Sequence, residues 1–286
     1  MGRLLADSYP AVRQLYDRAG ELLGYDLARV CFEGPAAELD STVHSQPALF
    51  VTSLAAVEQL RADRPQLLEN CQAVAGLSLG EYTALVFAGA IDFESGLRVV
   101  QRRGQAMQQA SDAVPSGMIS VLGLETERVT SLCVQCCAPG EVLQVANYLC
   151  PGNIAVSGSR DACQRLAQAA LAAGAMKVIP LQVAGAFHTP LMGPAVDQLA
   201  EALANVTLVR PRIPVYSNVD ARPHEDPDEI RQLLVQQVVQ PVLWEDSMRR
   251  MLEDGLGDFH EVGPGRVLRG LLRRIDRRVT CECVPA

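Results

Sequence analysis

AVAGLSLGEYTALVFAGA, residues 73–90, is the stretch that decides the fold. Its first three residues are apolar, as a short buried strand would be, and Glu81 to Ala90 reads as a helix. Between them stands Gly76-Leu77-Ser78-Leu79-Gly80. In that setting Gly-x-Ser-x-Gly describes a nucleophile elbow, a turn so tight that glycine is expected on both sides of the serine. The turn lifts a serine hydroxyl to the carboxyl end of a sheet. It also aims the next amide, that of Leu79, at an oxyanion formed on an attacked acyl carbon. The same residues fit a plain glycine-rich turn in which Ser78 caps the helix, so the decision passes to the rest of the chain.

Upstream, Ser8 and Pro10 start a helix with Val12, Leu15, Tyr16, Ala19, Leu22 and Leu23 as its buried stripe and Gly24 as its stop. Residues 26–45 read as irregular. Pro47 is expected to open a second helix carrying Leu49, Phe50, Leu54, Val57 and Leu60 on one side. Downstream, Asp92 caps a helix running to about Ala110. On it Arg103 lies four residues after Val99 and four before Met107, on the apolar face, whereas Arg102 falls on the solvated one. An arginine on an apolar stripe needs an anion. A structural ion pair, snorkelling and a bidentate clamp on a substrate carboxylate all stay open.

From Gly117 the period changes. Met118–Leu122, Val142–Ala146, Ile154–Ser157 and Met176–Leu181 read as strands, with helices over Thr126–Cys137 and Asp161–Ala173. That order is β-α-β-β-α-β, the ferredoxin-like unit, inserted at about 116–183 into a larger α/β body made of 1–115 and 184–286. Two lobes leave a cleft between them, where ligands tend to sit. The chain re-enters the body at Val183-Ala184-Gly185-Ala186-Phe187-His188-Thr189-Pro190. Thr189 suits a helix cap and Pro190 the first helical position, so His188 stands at a loop-to-helix junction facing the cleft. His44 and His224 are expected in polar loops and His260 inside the strand Phe259–Val262. Further elements are expected at 190–204 (helix), 213–217 (strand), 227–238 and 246–254 (helices), 266–275 (helix) and 279–284 (strand).

The 286 residues, 49% apolar and 20% charged, can bury a full core. No run approaches the ~20 apolar residues of a membrane span, and the start carries no apolar signal core; the expected place is the cytoplasm. A net charge of −8 argues against nucleic acid as the main partner. Arg266, Arg269, Arg273, Arg274, Arg277 and Arg278 gather near the end, chiefly as a solvated face and secondarily as a docking patch for an acidic partner. Nine cysteines without a secretory signal point to reduced thiols. Cys133 and Cys136 have metal spacing but no second pair, so core packing is expected and no metal.

Together these landmarks resemble the malonyl-CoA:acyl carrier protein transacylases and the related acyltransferase domains of polyketide synthases. The matching stretches are HSQPALF (44–50), GLSLGEYTALVFAGAIDFESGLRVVQRRGQAM (76–107), NYLCPGNIAVSG (147–158), GAFHTPLM (185–192), IPVYSNVDARP (213–223), QQVVQPVLW (236–244) and EVGPGRVL (261–268). They run in order through nearly the whole chain. The resemblance implies an α/β-hydrolase-like body with a parallel sheet and an inserted ferredoxin-like subdomain. It implies transfer of malonyl from malonyl-CoA to holo-acyl carrier protein through a malonyl-serine, with no cofactor, no nucleic acid and no membrane. Carried over by position, Ser78 is the nucleophile, His188 its base and the Leu79 amide an oxyanion donor. Arg103 pairs with the malonyl carboxylate, and the main-chain carbonyl of Gln237 orients the base. Gln46, Leu77, Met107, Asn147 and Phe187 line the substrate. Phe187 matches the malonyl-selective version, and its ring fills space that an α-methyl branch would need.

Two departures stand out. The family has His where this chain has Leu77, which cannot donate a hydrogen bond into the pocket. The family also opens on an apolar strand running into Phe-Pro-Gly-Gln-Gly, whose Gln side contributes to the oxyanion hole, while Met1 to Leu5 resembles the segment just past that motif. The expectation is a natural start upstream of Met1, testable by mass spectrometry of the native amino terminus. The rival readings are a serine esterase or thioesterase, for which the order Ser78 then His188 also serves, and a catalytically impaired carrier-protein docking module.

Overall fold

A computed structural model describes residues 1–286. Six helices precede the first strand: α1 (Arg3–Ser8), α2 (Pro10–Leu23), α3 (Leu27–Glu33), α4 (Ala36–Leu39), α5 (Thr42–Asp63) and α6 (Pro65–Glu69). Helix α2 buries Val12, Tyr16, Ala19 and Leu23, with Leu15 and Leu22 half-buried beside them, and it stops at Gly24. The stretch expected to be irregular is largely helical. The Asp26 carboxylate caps α3 by accepting from the Arg29 amide at 2.8 Å. Helix α5 begins at Thr42 and contains Pro47, so Pro47 does not open it and His44 is helical. Thr42 and Gln46, in that first stretch, are polar yet buried. An apolar period could not reveal such a turn.

Strand β1 (Val74–Ala75) leads into α7 (Gly80–Phe87), and α8 (Phe93–Ala113) comes next. Asp92 caps α8 by accepting from the Ser95 amide at 2.9 Å. Helices α5 and α8 approach closely at Gly104, where a Cβ would come within 2.8 Å of the Thr42 carbonyl oxygen. That approach brings the next residue back along α8, Arg103, beside Gln46.

The inserted unit comprises β2 (Ser116–Leu122), α9 (Thr126–Cys136), β3 (Leu143–Cys150), β4 (Asn153–Ser159), α10 (Arg160–Ala172) and β5 (Lys177–Pro180). Its strands lie in the order β5-β2-β4-β3 and pair antiparallel, the ferredoxin-like arrangement. Ile119, Val121, Val145 and Val156 pack against Val129, Leu132, Leu166 and Ala170 of the two helices. Cys133 is buried in that same core.

After a 3₁₀ turn at Pro190–Met192 come α11 (Gly193–Ala204), β6 (Val215–Tyr216), β7 (Pro223–His224), α12 (Pro227–Gln237), β8 (Val242–Leu243), α13 (Trp244–Glu253), β9 (Asp258–Val262), α14 (Val267–Ile275) and β10 (Thr280–Val284). The strand expected over 213–217 is thus only Val215–Tyr216, and His224 lies in a short strand rather than a loop. Strands β1 and β6 pair parallel, with β7 antiparallel on the far side of β6. Strands β9 and β10 form a second parallel pair. Strand β8 leaves the body and runs parallel to β3, pairing Asn147 with Val242 and Tyr148 with Leu243. The inserted sheet is therefore stitched to the body by backbone hydrogen bonds. Nothing in a two-residue strand announces this in the sequence.

Candidate active site

The elbow shows why its first glycine is needed. A Cβ on Gly76 would overlap the Gly80 carbonyl group. Gly80 is different: a Cβ there meets nothing within 4 Å, so the expectation that both flanks require glycine holds only for Gly76. The unusual backbone falls on the serine itself, with φ at 51° for Ser78, and His188 is likewise left-handed at 61°. Such residues cost about 1–3 kcal/mol each and persist where neighbours over-determine them. Here Asn218 Oδ1 accepts from the Ser78 amide at 2.6 Å, Gln237 Nε2 donates to the Ser78 carbonyl at 3.1 Å, and Asn218 Nδ2 donates to the Gly76 carbonyl at 2.9 Å. Across the cleft, Gln144 Nε2 of β3 donates to the His188 carbonyl at 3.2 Å.

His188 and Ser78 meet side chain to side chain. His188 Nδ1 lies 2.7 Å from the Gln237 carbonyl oxygen, which can only accept, so Nδ1 carries the proton. Nε2 is then the free acceptor, and it sits 2.9 Å from Ser78 Oγ. This is the tautomer a general base requires. The ring is buried, and burial, followed by the nearby Arg103 charge, pushes its pKa down to about 4. The amide of Leu79, next along the elbow, donates to no group within the protein, leaving it free for an oxyanion.

Arg103 is 1% exposed. Its Nη2 donates to Ser78 Oγ at 2.9 Å and to Gln237 Oε1 at 3.0 Å, and its Nη1 donates to Gln46 Oε1 at 2.7 Å. Nε has no partner, and the guanidinium lies over the Tyr82 ring at 5.4 Å. The polar partners bonded to it are neutral, so snorkelling and a hydrogen-bonded ion pair fall away; the Glu81 carboxylate acts on it only through space. Burial lowers its pKa. A buried cation beside the Ser78 hydroxyl and lacking a bonded counter-ion favours a ligand that brings a carboxylate.

The other expected site residues divide between those bonded to this centre and those packed elsewhere. Gln46 also donates through Nε2 to Met107 Sδ at 3.5 Å, which joins Met107 to the site. Gln237 supplies both the carbonyl under His188 and the amide that holds the Ser78 carbonyl. Phe187 is half-buried against Met118, Ala146 and Ala155 of the inserted sheet. Asn147 is buried on β3, with its backbone in the ladder to Ala155 and Val242. Leu77 does not stand among the polar groups: it packs on the cluster of Tyr216, Trp244, Leu271 and Leu272.

Two residues of the arrangement escaped the sequence reading, Asn218 and Glu81. Glu81 is 3% exposed, and its Oε2 accepts from Gln237 Nε2 at 2.8 Å and from the Asn218 amide at 3.1 Å. Burial raises its pKa to about 7. Glu81 and His188 therefore act oppositely on stability. Between pH 4 and 6.5 the unfolded chain binds the His188 proton that the fold rejects, so that contribution is present above pH 6.5 and lost on acidification. Between pH 4.5 and 7 the fold binds the Glu81 proton that the unfolded chain has released, so that contribution is present below pH 4.5 and lost as pH rises. Each amounts to about 3 kcal/mol. Removing one group should unmask the other. His188→Asn is expected to lose stability from pH 5 to 7, and Glu81→Gln to gain it, by denaturant unfolding. Equal slopes in the two variants would contradict this assignment.

A family profile described as an acyl transferase domain matches residues 1–279. The chain is 46% identical over 284 residues to a human protein named malonyl-CoA-acyl carrier protein transacylase, mitochondrial, covering 96% of this chain and 73% of the relative. It superposes with a TM-score of 0.93 on the malonyl CoA-acyl carrier protein transacylase of Coxiella burnetii, at 35% identity, covering 99% of this chain and 89% of that one. It also superposes with a TM-score of 0.92, at 37% identity, on a malonyl-transacylase solved in complex with its type II PKS acyl-carrier protein, covering 100% and 91%. The chain belongs to the acyl transferase domain family.

Proposed function

We propose that this chain moves a malonyl group from malonyl-CoA to the phosphopantetheine thiol of an acyl carrier protein, with Ser78, His188 and Arg103 carrying the chemistry. His188 Nε2 takes the Ser78 proton as Oγ attacks the thioester carbonyl, and the oxyanion turns toward the Leu79 amide. The intermediate collapses to malonyl-serine, and the departing CoA sulfur receives the proton from Nε2. In the second half the carrier thiol gives its proton to Nε2 and attacks the malonyl-serine, and Ser78 Oγ recovers a proton as it leaves. Arg103 pairs with the free malonyl carboxylate, both selecting the acyl group and holding it in line. Gln46 and Met107 back that arginine, and Phe187 and Asn147 line the acyl pocket. Leu77 acts only through packing beneath the elbow.

One observation carries this reading: a buried guanidinium with no carboxylate bonded to it reaches the nucleophile at 2.9 Å. A malonyl thioester places a carboxylate one methylene from the carbonyl that Ser78 would attack. A plain esterase has no use for such a cation, and the human and Coxiella burnetii relatives are transacylases. We divide the chain into a body of 1–115 and 184–286 and an inserted subdomain of 116–183, with the acyl group bound between them. The product feeds fatty acid or polyketide synthesis. We place the enzyme in the cytoplasm; no helix is long and apolar enough to cross a membrane.

Incubation with labelled malonyl-CoA, then peptide mass mapping, tests the proposal. The label is expected on Ser78, and holo-acyl carrier protein is expected to remove it faster than water does. Label on another residue, or hydrolysis outrunning transfer, would overturn it.

A further inference from the structure

Glu81 is the one carboxylate among the buried residues, and the acyl-transfer steps do not consume it. It stands in the first turn of α7, and its Oε2 holds two donors from distant parts of the chain, Gln237 Nε2 and the Asn218 amide. Each donor continues to the reacting groups. Gln237 also holds the Ser78 carbonyl through Nε2, receives Arg103 through Oε1, and takes the His188 Nδ1 proton on its own carbonyl. Asn218 fixes the Ser78 amide with one side-chain atom and the Gly76 carbonyl with the other. One oxygen thus ties α7 to the end of α12 and to the loop after β6. A charged acceptor makes roughly twice as strong a bond as a neutral one, so this tie depends on the carboxylate form.

We infer that Glu81 is a positioning residue of the transferase site: as a carboxylate it draws Gln237 and Asn218 together, keeping the carbonyl under His188 in register with the strained backbone of Ser78. The inference rests on the reading of Ser78 as nucleophile and His188 as base. Glu81 is faced by Arg103 from α8, by His224 from β7 and by Tyr82 beside it. The Arg103 charge favours the carboxylate, while burial opposes it and leaves the group titrating at about 7. His224 is itself bonded to Asp220 and Glu229.

The test is malonyl transfer by the full chain from pH 5 to 9, read as kcat and KM separately, for the wild type, Glu81→Gln and His224→Gln. In the wild type kcat is expected to fall several-fold as pH drops through about 7, because a protonated Glu81 releases its hold. Glu81→Gln should lower kcat roughly 10- to 100-fold at pH 8, leave KM within about threefold, and abolish the step near pH 7. His224→Gln should keep the step. A step that survives in Glu81→Gln, disappears in His224→Gln, or is absent from the wild type would overturn the proposal, as would a kcat within twofold of wild type in Glu81→Gln. Should that variant not fold, infrared titration of the wild type decides. The carbonyl band of a protonated buried carboxyl should vanish over the pH range in which kcat rises, and a band that titrates elsewhere refutes the role. Label mapping separates the two layers. Label away from Ser78 sinks the site itself, whereas label on Ser78 with an indifferent Glu81→Gln sinks only this inference.

Discussion

Arg103→Ala is expected to lower malonyl transfer by roughly 10²- to 5 × 10³-fold while sparing acetyl transfer, so that the malonyl-to-acetyl preference collapses. The size comes from removing one partner of a buried, hydrogen-bonded ion pair, worth about 3–5 kcal/mol. Sparing of the acetyl donor has two structural causes. Arg103 Nη2 donates to Ser78 Oγ at 2.9 Å, which draws electron density from that oxygen. The same charge is the second cause, after burial, of the low His188 pKa. A malonyl carboxylate relieves both effects by occupying the guanidinium; an acetyl group relieves neither. In the variant, acetyl-CoA therefore meets a freer serine and a stronger base. Gln237 keeps its bonds to the Ser78 carbonyl and Glu81; because the Arg103 charge favours the Glu81 carboxylate, the malonyl and acetyl donors are compared well above the pH at which Glu81 gives up its proton. Initial rates with the two donors measure this. Equal losses with both would remove Arg103 from the acyl pocket and assign it to the scaffold.

The parts legible in the sequence were those whose local pattern had no competitor. Gly76 announces the elbow because no other residue fits under Gly80, and the βαββαβ unit announces itself because each strand and helix carries its own period. The face of Arg103 was legible too, since Val99, Arg103 and Met107 stack at i+4 and all three are buried. Its purpose was not, because its partners Gln46 and Gln237 lie 57 and 134 positions away. The buried polar turn at Thr42–Gln46 read as irregular for a related reason. Thr42 and Gln46 face inward against the usual preference, and Gln46 does so to reach Arg103. Glu81 was hidden by its position. An acid in the first turn of a helix ordinarily reads as a solvated charge on the helix dipole, and only the fold places Gln237 and Asn218 around it. Asn218 carried no signal of its own, since its partners at Gly76 and Ser78 lie about 140 positions away. The resemblance carried Leu77 into the pocket, where the fold instead sets a leucine into an apolar cluster with Trp244 and Leu271.

His188→Ala is expected to lower transfer by roughly 10⁴-fold or more, since a serine and its base act as a unit. The reason lies in how the ring is held. A carbonyl, that of Gln237, accepts from Nδ1 at 2.7 Å, and no carboxylate stands in that place to stabilise an imidazolium. With burial and Arg103 acting in the same direction, the ring is neutral down to about pH 4. The ring is thus held in its accepting form at neutral pH. It passes its proton on to a thiolate, a better leaving group than an amine, without needing a buried acid behind it. Acylation of the wild type should accordingly show two features on acidification: a shallow step near pH 7 from Glu81, and a steep loss only as pH approaches 4. Single-turnover labelling across pH checks both. A steep loss centred at the ordinary histidine range would mean that the ring is solvated and that the carbonyl alone does not set its state. Residual acylation in His188→Ala should keep only the shallow Glu81 step near pH 7 and lack the steep acid loss, because the imidazole that causes that loss is gone.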